Sequence, residues 1–225
     1  MCGRFTQTQS GEAVAAAFHL PEIPILEPRY NIAPSQPVLA VTAAHDQREL
    51  RVFQWGLVPS WAKDPKIGSR MINARSETVA EKPSFRAAFK RRRCLIVANG
   101  FYEWQKTPGG KQAGGKQPFY IHLAEHRVFG FAGLWEHWES GDGSLLETCT
   151  ILTTAPNALM STLHHRMPVI IPDADHAAWL DPTLQDRGFL TSLLTPYDAD
   201  PMTAYPISTL VNSPRHDSAD CLKPA

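Results

Sequence analysis

The chain has 225 residues, 43% hydrophobic and 20% charged, with 22 Lys plus Arg balanced by 22 Asp plus Glu. That length fits one domain whose core needs no covalent staples, and neutrality excludes a global field toward nucleic acid or membrane, so any nucleic-acid contact must come from a local patch. The four cysteines, Cys2, Cys94, Cys149 and Cys221, form no CxxC pair, which argues against a zinc module or a disulfide framework.

No signal peptide opens the chain and no run reaches the ~20 apolar residues of a membrane span, so a cytoplasmic protein is expected. Residues 2–7 predict a short strand. Ser10 is placed to cap a helix running to about His19, and Pro21, Pro24 and Pro28 then impose an extended connection. Residues 37–42 and 49–55 read as strands about a polar turn at His45-Asp46-Gln47. A helix follows over 84–92, then strands over 94–98 and 101–106, with Asn99-Gly100 as a turn between them. Residues 107–118, rich in Gly, Lys and Gln, read as a long hairpin loop. Further strands are expected over 119–123, 128–134 and 146–153, then a short helix over 157–164. A strand over 169–171, helices over 174–180 and 184–194 and a last strand over 203–207 complete the pattern. Apolar residues run out after Asn212, so the tail 213–225 is expected to be disordered. Short strands at hairpin spacing with few helices predict a single α+β domain over 1–212, built on a curved, barrel-like antiparallel sheet with peripheral helices.

The residue types that carry chemistry begin at Cys2. Removal of Met1 would leave a free α-amine and a thiol on one residue. An aldehyde condenses with such an amine to an imine, and the thiol then closes a five-membered thiazolidine in an intramolecular step. Amine and thiol ordinarily titrate near ~8 and ~8.5. Glu103 sits between Tyr102 and Trp104 in an aromatic strand, where a carboxylate suits acid/base duty, although simple alternation would turn it to water. His164 and His165 end a helix, where the dipole favours imidazolium and where a surface or capping role is the plainer reading. Arg86, Lys90, Arg91, Arg92 and Arg93 are the densest basic cluster: a solvated helix face, or a phosphate track helped by Arg4 and Arg75. Trp55 and Trp61 flank Gly56-Leu57-Val58-Pro59, where an exposed aromatic would suit base stacking.

Six segments in order resemble the SRAP family, named for SOS-response-associated peptidase. They are Cys2-Gly3-Arg4-Phe5, Arg29-Tyr30-Asn31-Ile32-Ala33-Pro34, Trp55-Gly56-Leu57-Val58-Pro59, Ile72-Asn73-Ala74-Arg75-Ser76-Glu77-Thr78, Gly100-Phe101-Tyr102-Glu103-Trp104 and His164-His165-Arg166-Met167-Pro168. The resemblance implies the SRAP fold and covalent capture of abasic sites in single-stranded DNA during the DNA damage response, through a thiazolidine at Cys2. It assigns catalysis to Cys2, Asn73, Glu103 and His164, the DNA backbone to Arg4, Arg75 and Arg166, and the bases to Pro34 and Trp61. It implies no cofactor, no metal and no membrane partner, and a monomer that joins the nucleoid when bound to DNA. Lyase and autopeptidase side activities are part of the same expectation. An N-terminal-cysteine peptidase and a non-catalytic single-strand-binding module are the alternatives. Two positions depart from the pattern: His165 stands where relatives often carry an acid, and Ala62 where some carry a second tryptophan.

Overall fold

A computed structural model describes residues 2–44, 47–106 and 116–225. Met1, the expected turn at His45-Asp46 and residues 107–115 of the expected hairpin loop lie outside the described residues. The chain forms β1 (Phe5–Gln7), α1 (Gly11–Phe18), β2 (Arg29–Ile32), β3 (Pro37–Ala44), β4 (Gln47–Trp55), β5 (Asn73–Arg75), α2 (Arg86–Arg91), β6 (Arg93–Ala98) and β7 (Gly100–Lys106). It continues through β8 (Lys116–Leu123), β9 (Phe129–Glu139), β10 (Leu145–Thr154), α3 (Ala158–Ser161), β11 (Met167–Pro168), β12 (Ile170–Ile171), α4 (His176–Leu180), α5 (Arg187–Ser192) and β13 (Met202–Pro206).

Strands β4, β3, β6, β9 and β10 are hydrogen-bonded in that order, and β10 returns to β4, so the sheet closes into a barrel. The closing pair is parallel (Thr148 opposite Gln54, Cys149 opposite Trp55), as is the pairing of β5 with β10. The expected barrel is therefore present with a mixed rather than purely antiparallel ladder. Closure also leaves no exposed edge at this seam. A second sheet, in the order β13-β8-β7-β1-β2, is antiparallel throughout and packs against the barrel.

Strand β6 shows why two cores form. All six of its residues are buried. Cys94, Ile96 and Ala98 join a core with Cys2, Phe5, Trp55 and Phe101. Leu95 and Val97 point the other way, into a core with Phe18, Phe89 and Trp179 from the helices. A strand covered on both faces reads as a continuous apolar run, and the period of two divides its residues between the layers. Helix α1 follows its sequence signals: Ser10 accepts from the Ala13 N–H at 3.3 Å, and His19 ends the helix at φ 51°.

Several expectations are corrected. The extended connection after Pro28 becomes strand β2, paired with β1. Strand β5 is too short for its periodicity to predict it, since three residues carry no pattern. Asn99 is more than a turn residue: its Oδ1 accepts from Thr8 N–H at 2.9 Å and its Nδ2 donates to Thr8 Oγ1 at 2.9 Å, clamping the start of the chain. The tail expected to be disordered after Asn212 packs on the N-terminal strands instead, with Cys221 fully buried and Asp217 accepting from the backbone of Tyr30 and Asn31. Its anchors are polar, so counting apolar residues missed them.

Candidate active site

Strand β1 threads between β2 and β7, with Phe5 opposite both Ile32 and Phe101. This placement carries Cys2 into the core, where it is 0% exposed. The Cys2 carbonyl accepts from Asn73 Nδ2 at 2.8 Å. Asn73 is in turn positioned by β5, which lies beside β10 with Asn73 opposite Ile151, and by Trp55, whose indole N–H donates to the Ile72 carbonyl at 2.8 Å. Asn73 Oδ1 is buried and accepts no hydrogen bond among the described residues. Leaving such an acceptor unmade is costly, so it is a ready receptor for an N–H or O–H brought to Cys2. The Cys2 thiol is pushed far up from its ordinary range, first by burial and then by the negative charge of Glu103; the Arg4 backbone N–H opposes this. The side chain is thus a protonated thiol at neutral pH.

Glu103 does not face water. It is 3% exposed, because both faces of β7 are covered. Tyr102, its neighbour, is buried in a separate cluster with Tyr120, Ile207 and Val211. His164 reaches the same end of β7 by a local route. Asn157 caps α3 by accepting from Met160 N–H at 2.8 Å, and Gln105 Nε2 donates to the Thr162 carbonyl at 2.9 Å. These contacts hold the segment after α3 against β7. A groove of about 460 Å³ there is lined by Trp104, Lys106, Lys116, Leu163, His164 and His165. His164 Nδ1 lies 3.1 Å from both the backbone N and O of Arg166. A neutral ring accepts from that N–H and a protonated ring donates to that carbonyl, so either state finds a partner. The rings of His164 and His165 are 4.3 Å apart, and the charge of His164 holds the His165 imidazole below its ordinary range.

The predicted DNA-backbone arginines differ in their surroundings. Arg75 is exposed and makes no ion pair among the described residues. Arg166 is clasped by Glu77 through two hydrogen bonds, at 2.5 and 3.0 Å, and also donates to the Thr153 carbonyl. That clasp holds the Glu77 carboxyl below the usual range. Arg4 donates from one nitrogen to Asn31 Oδ1 at 2.8 Å and to the Val211 carbonyl at 2.7 Å. Trp61 is 59% exposed. Its groove shares Lys66 and Ser69 with a second groove bordered by Pro34 and Gly56. Gly56 has φ 134°, and a Cβ there would meet the Gly68 carbonyl oxygen at 2.7 Å, so glycine is required where the chain leaves the barrel.

The basic run does not form a phosphate track as a whole. Arg92 pairs with Glu136 at 2.5 Å. Arg93 is buried and donates to the carbonyls of Phe89, Lys90, Trp179, Asp181 and Leu184, and burial lowers its pKa to about 10. It ties α2 to the segment after α4. Arg86, Lys90 and Arg91 remain exposed. Sequence reasoning missed Glu77 and Asn31 as partners of arginines. Both sit inside the recognised segments, and the signal was a carboxylate or amide beside a run that must neutralise a cation.

Fold and site together define a class: a closed mixed barrel that buries a cysteine at the second position beside an amide and a carboxylate, with a histidine on the rim. The description SOS response associated peptidase (SRAP) matches residues 1–214, and the chain belongs to that family. It is 46% identical over 226 residues to the abasic site processing protein YoqW of Bacillus subtilis (strain 168), covering 99% of each chain. It is 36% identical to the abasic site processing protein HMCES of Gallus gallus, with 88% of this chain and 66% of that protein covered. A crystal structure of a protein from Bacteroides thetaiotaomicron superposes with a TM-score of 0.87 over all of both chains at 28% identity.

Proposed function

We propose that the protein captures abasic sites in single-stranded DNA as a covalent thiazolidine on Cys2, after removal of Met1. The observation that carries this reading is the setting of Cys2: buried, held by its own carbonyl on Asn73, with the unpartnered Asn73 Oδ1 beside it and Glu103 close enough to act on its charge. Relatives that bear the name abasic site processing protein support the same reading.

An abasic sugar is mainly a closed hemiacetal, and only its open form presents an aldehyde. His164 gives a proton to the ring oxygen while Glu103 takes the proton of the C1′ hydroxyl, and the sugar opens to the aldehyde. The Cys2 amine attacks C1′, and Glu103 moves the proton that must leave nitrogen and the one that departs with hydroxide as water. Asn73 Oδ1 accepts from the amine or a sugar hydroxyl and does not titrate. The imine carbon then takes the Cys2 sulfur while its nitrogen takes the thiol proton, closing the ring with no net loss of atoms after the water. Before closure the imine acidifies C2′, so elimination of the 3′ phosphate is the competing path, and rapid thiol addition suppresses it. A raised thiol pKa suits this order, with the amine first and sulfur second. Arg75 is the proposed outer phosphate contact, and Trp61 and Pro34 hold splayed bases. Arg4 and Arg166, already bonded within the protein, would meet phosphate only along their remaining N–H edges.

The test is intact mass before and after incubation with an abasic single strand. Wild type should start at Cys2 and gain one DNA adduct that survives denaturation. Cys2→Ser retains an amine and should give only a hydrolysable imine, trapped by borohydride. A preparation that keeps Met1 and still crosslinks at the wild-type rate would defeat the amine-first mechanism.

A further inference from the structure

The segment after Ser208 is wired to the N-terminus by a chain of side-chain bonds. Asp217 Oδ1 accepts the backbone N–H groups of Tyr30 at 2.5 Å and Asn31 at 2.9 Å. The buried Asn31 amide donates to the carbonyls of Val211, Ser213 and His216, at 3.2, 3.0 and 2.7 Å. Its Oδ1 receives Arg4, which also bonds Val211. The Arg4 carbonyl accepts from Tyr102 N–H at 3.0 Å, and its own N–H acts on the Cys2 thiol. On the neighbouring strand, Trp104 donates its indole N–H to Asn212 Oδ1 at 2.7 Å. The residues adjoining both Cys2 and Glu103 are therefore held by one C-terminal segment.

We propose that the segment 209–222 is a positioning clasp for the N-terminal nucleophile, with Asp217 as its fastening and Arg4 and Asn31 as the links that transmit its hold to Cys2. Asp217 lies beyond the residues matched by the family description, which end at 214. One carboxylate oxygen holds two successive backbone N–H groups, and bonds to an ionised acceptor are stronger than neutral ones. Its loss removes two of the bonds that tie the 209–222 segment to β2 and loosens the hold on the Asn31 amide. A half-buried guanidinium that gives one nitrogen to two internal acceptors is a strut first and a DNA contact second. The clasp is a property of the folded chain, and only its effect on catalysis rests on the abasic-capture reading.

The experiment measures Cys2 twice in the full-length chain. The first measurement needs no DNA: the rate at which iodoacetamide alkylates Cys2 at pH 8, located by peptide mass spectrometry. Burial is what chiefly protects this thiol. Asp217→Ala should therefore alkylate faster, by roughly tenfold, the worth of one hydrogen bond to a charged group. Asp217→Asn keeps an oxygen acceptor but loses the charge, and should fall between wild type and Asp217→Ala. Arg4→Lys, whose ammonium ends one bond short of the nitrogen that bonds Asn31 and Val211, should accelerate as Asp217→Ala does. The second measurement is the adduct-forming rate at saturating abasic single strand. It should fall in Asp217→Ala while affinity for intact single strand holds, because the segment is not proposed to touch DNA. Wild-type alkylation rates in both Asp217→Ala and Arg4→Lys overturn the clasp. Faster alkylation in a protein whose wild type forms no adduct supports the clasp and defeats the capture reading.

Discussion

At the scale of single residues, the proposed mechanism separates groups that hold from groups that move protons. Asn73 holds: one atom of its amide is spent on the Cys2 carbonyl and the other is kept for the reactant. Glu103 and His164 are the proposed proton carriers, one on a buried strand and one on the rim of a groove. Glu103→Gln preserves size and hydrogen bonding but exchanges no proton. It should slow adduct formation by about 10²–10⁴-fold, the usual contribution of a general acid or base. His164→Ala should slow the same reaction, and the loss should shrink on a synthetic open-chain aldehyde that needs no ring opening. Affinity for intact single strand should barely change in either variant. A crosslinking time course beside equilibrium binding reads both quantities, and wild-type crosslinking rates in both variants would remove these residues from the mechanism. Glu103 is also the clearest case of a position the sequence left open. Alternation along β7 pointed it at water, yet the tail and the barrel cover both faces of the strand.

At the scale of elements, the turn after β5 and the segment before β11 meet through Glu77 and Arg166. Their bond is an internal competitor for phosphate: a carboxylate already occupies the guanidinium fork that a DNA oxygen would use. Glu77→Gln should loosen the fork. If Arg166 faces DNA in the complex, the variant binds single strands more tightly, and the plot of log K against log salt steepens by about 0.7 for one added phosphate contact. An unchanged slope with weaker binding would show that Glu77 orients Arg166 rather than screening it. Since Glu77 is about half exposed, its removal should cost little stability. Trp61→Ala should lower affinity across all sequences without changing that slope, because a base stacks on a ring whatever its identity.

At the scale of the whole molecule, two imidazoles, buried His176 and exposed His126, favour the folded chain in their neutral form. His176 is 1% exposed, its ring stacks on Phe18 at 5.4 Å, and burial holds it below the ordinary histidine range. His126 is lowered in the same direction, by burial and by the neighbouring His122. Both groups bind protons more readily in the unfolded chain, where a histidine titrates near ~6.5. The unfolded state therefore gains protons first as pH falls, and stability must drop as pH falls through about 6.5 toward the depressed folded values. The lowered Glu77 carboxyl acts in the same direction in a separate window, below its unfolded value near ~4.3. Thermal melts between pH 7.5 and 5.5 isolate the histidines. Wild type should lose Tm across that range, and His176→Gln should lose less. Equal slopes for the two proteins would assign the acid response elsewhere. No helix among the described residues is long and apolar enough to cross a membrane.

The sequence by itself determined what local pattern and motif order can carry. The cap at Ser10, the apolar run of β6, the α+β class and the segments that bear Cys2, Asn73, Glu103 and His164 were all legible, because each depends on residues close together in the chain. The tertiary structure decided what depends on distant partners. It closed the barrel through a parallel pair of β4 and β10 and buried Glu103 on both sides. It turned Arg92 and Arg93 inward, engaged Arg166 with Glu77, and folded the tail over the N-terminus. A guanidinium looks the same in a sequence whether its partner is water, a carbonyl or phosphate. Its role is set by which acceptor, often a hundred residues away, arrives within 3 Å when the apolar faces close.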